Sequence, residues 1–146
     1  MAKITQFSNG TIIYNVDHSV GKCGRNHKSD VQLVQMLLNA LIENIKNSGE
    51  RISIDPLPDI LTVDGICGSD TMAAIIWYQK AHPRLAKDAT MNSVGDAGTY
   101  GAPHKAYTLN TLNVELGMRF ALPSKSAITI EPLASELRKF GKQPTI

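Results

Sequence analysis

The sequence predicts one mainly α-helical domain with short β elements at both ends. Two stretches of helical periodicity flanking a proline-containing connection carry this reading, together with β-branched runs near the two termini. A chain of 146 residues and 15.9 kDa fits one domain of ordinary size and leaves little room for a second core. Hydrophobic residues make up 42% and charged residues 19%, a composition that excludes a disordered chain and a highly charged scaffold. The formal charge of +2 is too small for the electrostatic footprint of a nucleic-acid binder, so no nucleic acid is expected as a partner.

Residues 11–16 are rich in β-branched and aromatic side chains and follow the turn signal Asn9-Gly10, which predicts a strand with residues 4–7 as its hairpin partner. A polar, glycine-containing connection covers 17–28, and Ser29 or Asp30 offers an N-cap. From Val31 onward, Val34, Leu37, Leu38, Leu41, Ile42 and Ile45 recur at helical spacing, predicting a helix over 30–46 that stops at Asn47-Ser48-Gly49. Pro56 and Pro58 make 48–60 a loop, with a short extended piece at 52–54.

Residues 61–70 hold Gly65 and Gly68 and end near Ser69, the expected cap of a helix over 70–82 with Pro83 as its stop. This second helix is apolar nearly all round, so burial on several sides is expected, with Trp77 and Tyr78 as core residues and extra cover from both terminal extensions. Residues 88–104 read as a long glycine-rich loop. A third short helix follows over 107–116, with Thr108 as cap and Gly117 as stop. Beyond it, 127–130 look like a strand, and Pro132 opens an amphipathic helix in which Leu133, Leu137 and Phe140 share a face. No internal repeat is visible. The expected layout is a single domain over 1–146, with an N-terminal β extension over 1–29, a helical core over 30–116 and a C-terminal strand-helix extension over 117–146.

The catalytic and metal-binding readings are weak. Four histidines, His18, His27, His82 and His104, show no His-x-x-His or His-Glu-x-x-His spacing, so neither a metal site nor a cofactor is expected. Cys23 and Cys67 are too few and too far apart for a disulfide scaffold or a four-ligand zinc site. Two buried, reduced thiols are expected, although pairing in space stays open. Cys23 lies near His18 and His27 in sequence, the ingredients of a cysteine amidase, but it does not open a helix as such nucleophiles usually do. Asp55 with Asp59, and Glu131 with Glu136, read as solvated charges. Residues 21–26 are glycine-rich and basic without Walker spacing.

Two segments resemble the peptidoglycan-binding domain-like family, a small three-helix module of bacterial and phage cell-wall enzymes. Asp30, Val31, Val34, Gln35, Leu38, Asn39 and Leu41 match the pattern of its first helix. Val63-Asp64-Gly65-Ile66-Cys67-Gly68-Ser69-Asp70-Thr71, followed by Ala74, Ile75, Tyr78 and Gln79, is similar to its Val-Asp-Gly-Ile-x-Gly-x-x-Thr loop and the helix after it. The resemblance spans about 30–116 and departs from the family in the continuation over 42–60, the long loop before the third helix, and a Thr-Leu-Asn-Thr-Leu-Asn variant of the closing helix. It implies a three-helix peptidoglycan-binding-domain-like core and peptidoglycan or muropeptide as ligand, with no catalytic residues. Asp64, Gly65, Gly68, Thr71, Gln79, Gln35 and Asn39 are the candidate ligand-facing residues. The same residue types also fasten loop backbone, and an Asx turn explains Asp64 without a ligand.

The expected function is therefore non-catalytic binding of the bacterial cell wall. The alternatives are an adaptor of a phage or secretion apparatus that kept the fold without the sugar site, in contact with such a component or a cell-wall hydrolase, and more weakly an amidase using Cys23. The first residues carry no secretory signal pattern, so synthesis in the cytoplasm is expected, with delivery to the periplasm or wall by lysis or a specialised secretion route. No run approaches ~18 apolar residues, so no membrane span is expected.

Overall fold

A computed structural model describes residues 3–6, 12–48, 56–92 and 108–119 of the chain. Strands β1 (Lys3–Gln6) and β2 (Ile12–Asn15) form the anticipated antiparallel hairpin, in register from Lys3 opposite Asn15 to Gln6 opposite Ile12. The polar connection over 17–28 contains a short strand, β3 (Val20–Gly21). Helix α1 (Lys28–Ser48) and helix α2 (Ser69–Ala81) follow, and a further short strand, β4 (Thr90–Met91), pairs antiparallel with β3. The long loop expected from residue 88 therefore begins with a strand. Helix α3 (Thr108–Arg119) is the last described element. The chain is thus partly helical with small antiparallel β ladders. The turn at Asn9-Gly10, the extended piece at 52–54 and the C-terminal strand and helix lie outside the described residues.

Helix α1 is the axis of the core. Every residue from Val31 to Leu38 is buried, whereas Glu43, Lys46 and Asn47 near its end are exposed. A helix can lose water on every side only if neighbours surround it, and α2, α3 and β3 all pack on α1. Burial on several sides was expected of α2 as well. That helix buries Ala74, Ile75, Trp77 and Tyr78 but leaves Ala73 and Lys80 exposed and Met72 and Ile76 half-buried. Val34, Leu38 and Leu41 join Ala74, Ile75 and Tyr78 in one apolar cluster with Leu109, Leu112 and Leu116 of α3. Each of these large side chains contributes about 1.5–3 kcal/mol when fully buried.

The helix ends correct three details. Helix α1 starts before Ser29 and Asp30, and buried Asp30 turns its carboxylate back to accept the backbone N–H groups of Asp17 at 3.3 Å and His18 at 3.2 Å. Ser69 does not cap α2; Gly68 holds that position without a side-chain hydrogen bond, its φ of −87° open to any residue. Gly117 does not stop α3, which continues through Arg119. At the far end of α2 the Lys87 ammonium donates to the carbonyl oxygens of His82, Pro83 and Leu85, placing a cation on the helix's negative pole.

The β3–β4 ladder closes on a glycine. Gly21 has φ +121°, and a Cβ there would meet the carbonyl oxygen of Ala89, with Thr90 Cα 3.0 Å away. Gly21→Ala is expected to lower unfolding stability by more than about 1 kcal/mol, because strained backbone and collision act together. A urea midpoint equal to the parent's would show that the ladder tolerates a side chain.

Candidate functional site

The loop between α1 and α2 is assembled on a single side-chain amide. Gln35 sits in the middle of the most buried stretch of α1, 1% exposed. Its Oε1 accepts the N–H of Gly65 at 3.1 Å, which fixes the orientation of the amide, since only oxygen can accept. Its Nε2 then faces Asp64 Oδ1, the Ile66 carbonyl oxygen and Thr71 Oγ1, each at 3.1 Å. Asp64 Oδ1 also accepts the N–H of Ile66 at 2.9 Å, the Asx turn expected of this motif. These bonds hold the Asp64 carboxyl below its ordinary pKa, the Ile66 N–H foremost and the Gln35 amide second.

Gly65 is the conformational requirement of this loop. Its φ is +75°, and a Cβ would collide with the Lys28 side chain and lie 3.0 Å from the Lys28 carbonyl oxygen. Gly68 carries no such requirement, for a Cβ there would meet nothing within 4 Å. The loop's approach is reinforced by Asn39, whose amide brackets Leu61 by donating to its carbonyl at 2.8 Å and accepting its N–H at 2.7 Å.

The same device occurs a second time, one helix later. Gln79 of α2 is fully buried; its Oε1 accepts the N–H of Ala89 at 2.8 Å. Its Nε2 faces Asp88 Oδ1 at 2.9 Å, the Thr90 carbonyl at 3.1 Å and Thr108 Oγ1 at 3.0 Å. Asp88 Oδ1 accepts the N–H of Thr90, as Asp64 does that of Ile66. Ala89 takes the left-handed conformation, φ +58°, that Gly65 takes in the first loop. Gln35 and Gln79 thus serve equivalent loops, each tied to the threonine of the following helix. The repeat escaped the sequence pattern because the glutamine precedes its aspartate by 29 residues in one copy and 9 in the other. Asn113 of α3 adds a related bracket, bonding both the N–H and the carbonyl of Tyr14 at 2.9 Å and so holding β2.

The candidate ligand-facing residues therefore divide. Gln35, Gln79 and Thr71 are buried, with their side-chain polar atoms spent on loop backbone and on each other. Asn39 is half-buried and engaged with Leu61, and Gly65 is buried beneath Lys28. Asp64 and Gly68 remain at the surface, and between them Ile66, absent from the candidate set, is 67% exposed. An apolar side chain at the tip of a rigid loop was legible only from the alternation 61-63-65 inward and 60-62-64-66 outward, which requires knowing that the segment is extended.

The chemistry-bearing groups elsewhere are separate. Cys23 and Cys67 are both free thiols. Cys23 is exposed in a turn with φ +61°, contrary to the expectation of burial, while burial pushes the half-buried Cys67 thiol above its ordinary pKa. His18 and His27 stack on each other with ring centroids 4.1 Å apart. Among the described residues no group of three or more histidine, cysteine, aspartate or glutamate side chains is arranged to hold a metal ion.

Replacing Gln35 by Met keeps the volume and removes the amide, stranding buried Gly65 N–H and Thr71; a loss of about 3 kcal/mol is expected by urea unfolding. Asp64→Asn preserves the acceptor, so its melting temperature should stay close to the parent's at neutral pH. Because the Asp64 carboxyl is held below its ordinary pKa, its contribution is complete above the carboxylate range and lost as pH falls through the depressed value. The parent should accordingly lose stability relative to Asp64→Asn below about pH 4. Thiol titration should find two reactive groups after denaturation, with Cys23 labelled faster than Cys67 in the folded protein. Comparison with family models, with curated proteins and with solved structures finds no match to this chain.

Proposed function

We propose that this protein is a non-catalytic binder of peptidoglycan or its muropeptide fragments, and that the outer rim of the first loop is the contact surface. The supporting observation is a loop locked from beneath by Gln35, with Asp64, Ile66, Gly68, Ser69 and Asp70 left facing solvent. The resemblance to the peptidoglycan-binding domain-like family rests on residues 30–41 and 63–79. A rigid rim that combines one apolar side chain with carboxylates and an open glycine suits a ligand carrying both sugar faces and amide or amine groups. Its polar partners are then the exposed groups, because the buried amides already serve the fold.

The adaptor reading has its own support. Ile60 is 41% exposed and Ile66 67%, and isolated apolar side chains on a rigid loop also suit a protein surface. Neither reading uses a catalytic residue or a cofactor. Delivery to the wall by lysis or by a specialised apparatus belongs to the same proposal.

Sedimentation with purified sacculi at low salt separates the two. The parent should partition into the pellet, and Ile66→Ser, which touches a side chain outside the core, should lower the bound fraction several-fold at an unchanged melting temperature. A protein that stays wholly in the supernatant overturns wall binding. A stoichiometric protein partner recovered from the native host would then favour the adaptor.

A further inference from the structure

His82 closes α2, and both nitrogens of its ring face acceptors. Nδ1 lies 2.9 Å from the carbonyl oxygen of Tyr78, and Nε2 lies 2.9 Å from Oε1 of Glu115 on α3. A carbonyl oxygen only accepts, so Nδ1 carries hydrogen. A neutral imidazole has one N–H. With that hydrogen on Nδ1, the lone pair of Nε2 would point at a carboxylate oxygen within hydrogen-bond distance. The repulsion vanishes when a second proton occupies the line between Nε2 and Oε1. Imidazole ordinarily binds a proton near pH 6.5 and carboxylate near about 4.3, so that proton resides on the ring.

The surroundings favour the same state. The Tyr78 hydroxyl donates to the same Oε1 at 2.9 Å, which stabilises Glu115 as a carboxylate, and the Tyr78 ring packs on the imidazole with centroids 4.3 Å apart. The ring stands at the C-terminal pole of α2, where a cation is favoured. Glu115 from α3, Tyr78 from α2 and Lys87 from the following turn all meet His82. Lys87 opposes the ring's charge, but its exposed ammonium is shared among three carbonyl oxygens, that of His82 at 3.1 Å included.

We infer that His82 is an imidazolium staple between α2 and α3, and that loss of its proton loosens the seating of α3. The consequence reaches the N-terminal hairpin, since Asn113, two residues before Glu115, holds the backbone of Tyr14 in β2. The chain thus carries a pH-sensitive joint on α3, the helix that also holds β2. The sign follows from the raised affinity of the folded ring for its proton. The stabilisation is complete below the ordinary imidazole midpoint and is lost as pH rises through the higher folded midpoint.

Proton NMR titration of the full chain should place the His82 midpoint above about 6.5, and Glu115→Gln should bring it down. Between pH 6 and 9 the parent's melting temperature should fall by roughly 3 °C more than that of Glu115→Gln. A parent midpoint at or below the ordinary value overturns the inference, as does a raised midpoint that Glu115→Gln leaves unmoved. Should Glu115→Gln not fold, His82→Gln decides: its melting temperature must lie below the parent's at pH 6 and converge with it as pH rises. Curves that run parallel overturn the staple.

Discussion

The amide of Gln35 is the interaction on which the arrangement of α1, the first loop and α2 depends. A polar side chain in the most buried turn of an apolar helix is costly unless every hydrogen-bonding group on it finds a partner. Here the partners are the backbone of Gly65 and Ile66, the carboxylate of Asp64 and the hydroxyl of Thr71. The cost of misplacing any of them falls on several buried groups at once. The loop therefore has one low-energy path over α1, and the start of α2 is set relative to the axis helix by Thr71.

Gln79 extends the same logic to the next connection. Its bonds to Asp88, Ala89, Thr90 and Thr108 place β4 against β3 and fix the start of α3. The two loops differ in the residue at the left-handed position. Gly65 lies under the Lys28 stem, where no side chain fits, whereas Ala89 accepts a conformation that costs about 1–2 kcal/mol for a residue with a Cβ. Close approach decides where glycine is obligatory, and positive φ alone does not.

This division of labour bears on the proposed function. A buried amide or hydroxyl that fastens a loop is not available to a ligand, whereas the exposed Asp64 carboxylate keeps a second oxygen. The buried glutamines and Thr71 build the platform, and the outward residues Asp64, Ile66 and Gly68 are what a wall fragment or a protein partner would meet. The joint at His82 and Glu115 lies on the other end of α2, so the proposed recognition loop and the proposed pH-sensitive contact sit at opposite ends of one helix.

The helices were legible in the sequence because their apolar residues repeat with the helical period and their ends carry local punctuation. Lys28–Ser48, Ser69–Ala81 and Thr108–Arg119 lie within a few residues of the spans that periodicity gives. The hairpin of β1 and β2 was legible from β-branched residues, and burial of Trp77 and Tyr78 from the breadth of the apolar face. The Asp64 to Thr71 motif also announced its own Asx turn. What the sequence could not determine is which way each polar group points. Gln35 and Gln79 became fasteners because tertiary packing encloses the helix faces that carry them, and Ile66 became exposed because Gly65 had to go inward. The two-residue ladder of β3 and β4 is too short to have a period, and it exists because the side chains of Asn26 and Gln79 hold its strands. The contacts of His82 with Glu115 join residues whose proximity only the packing of α2 on α3 creates, and so does the protonation those contacts require.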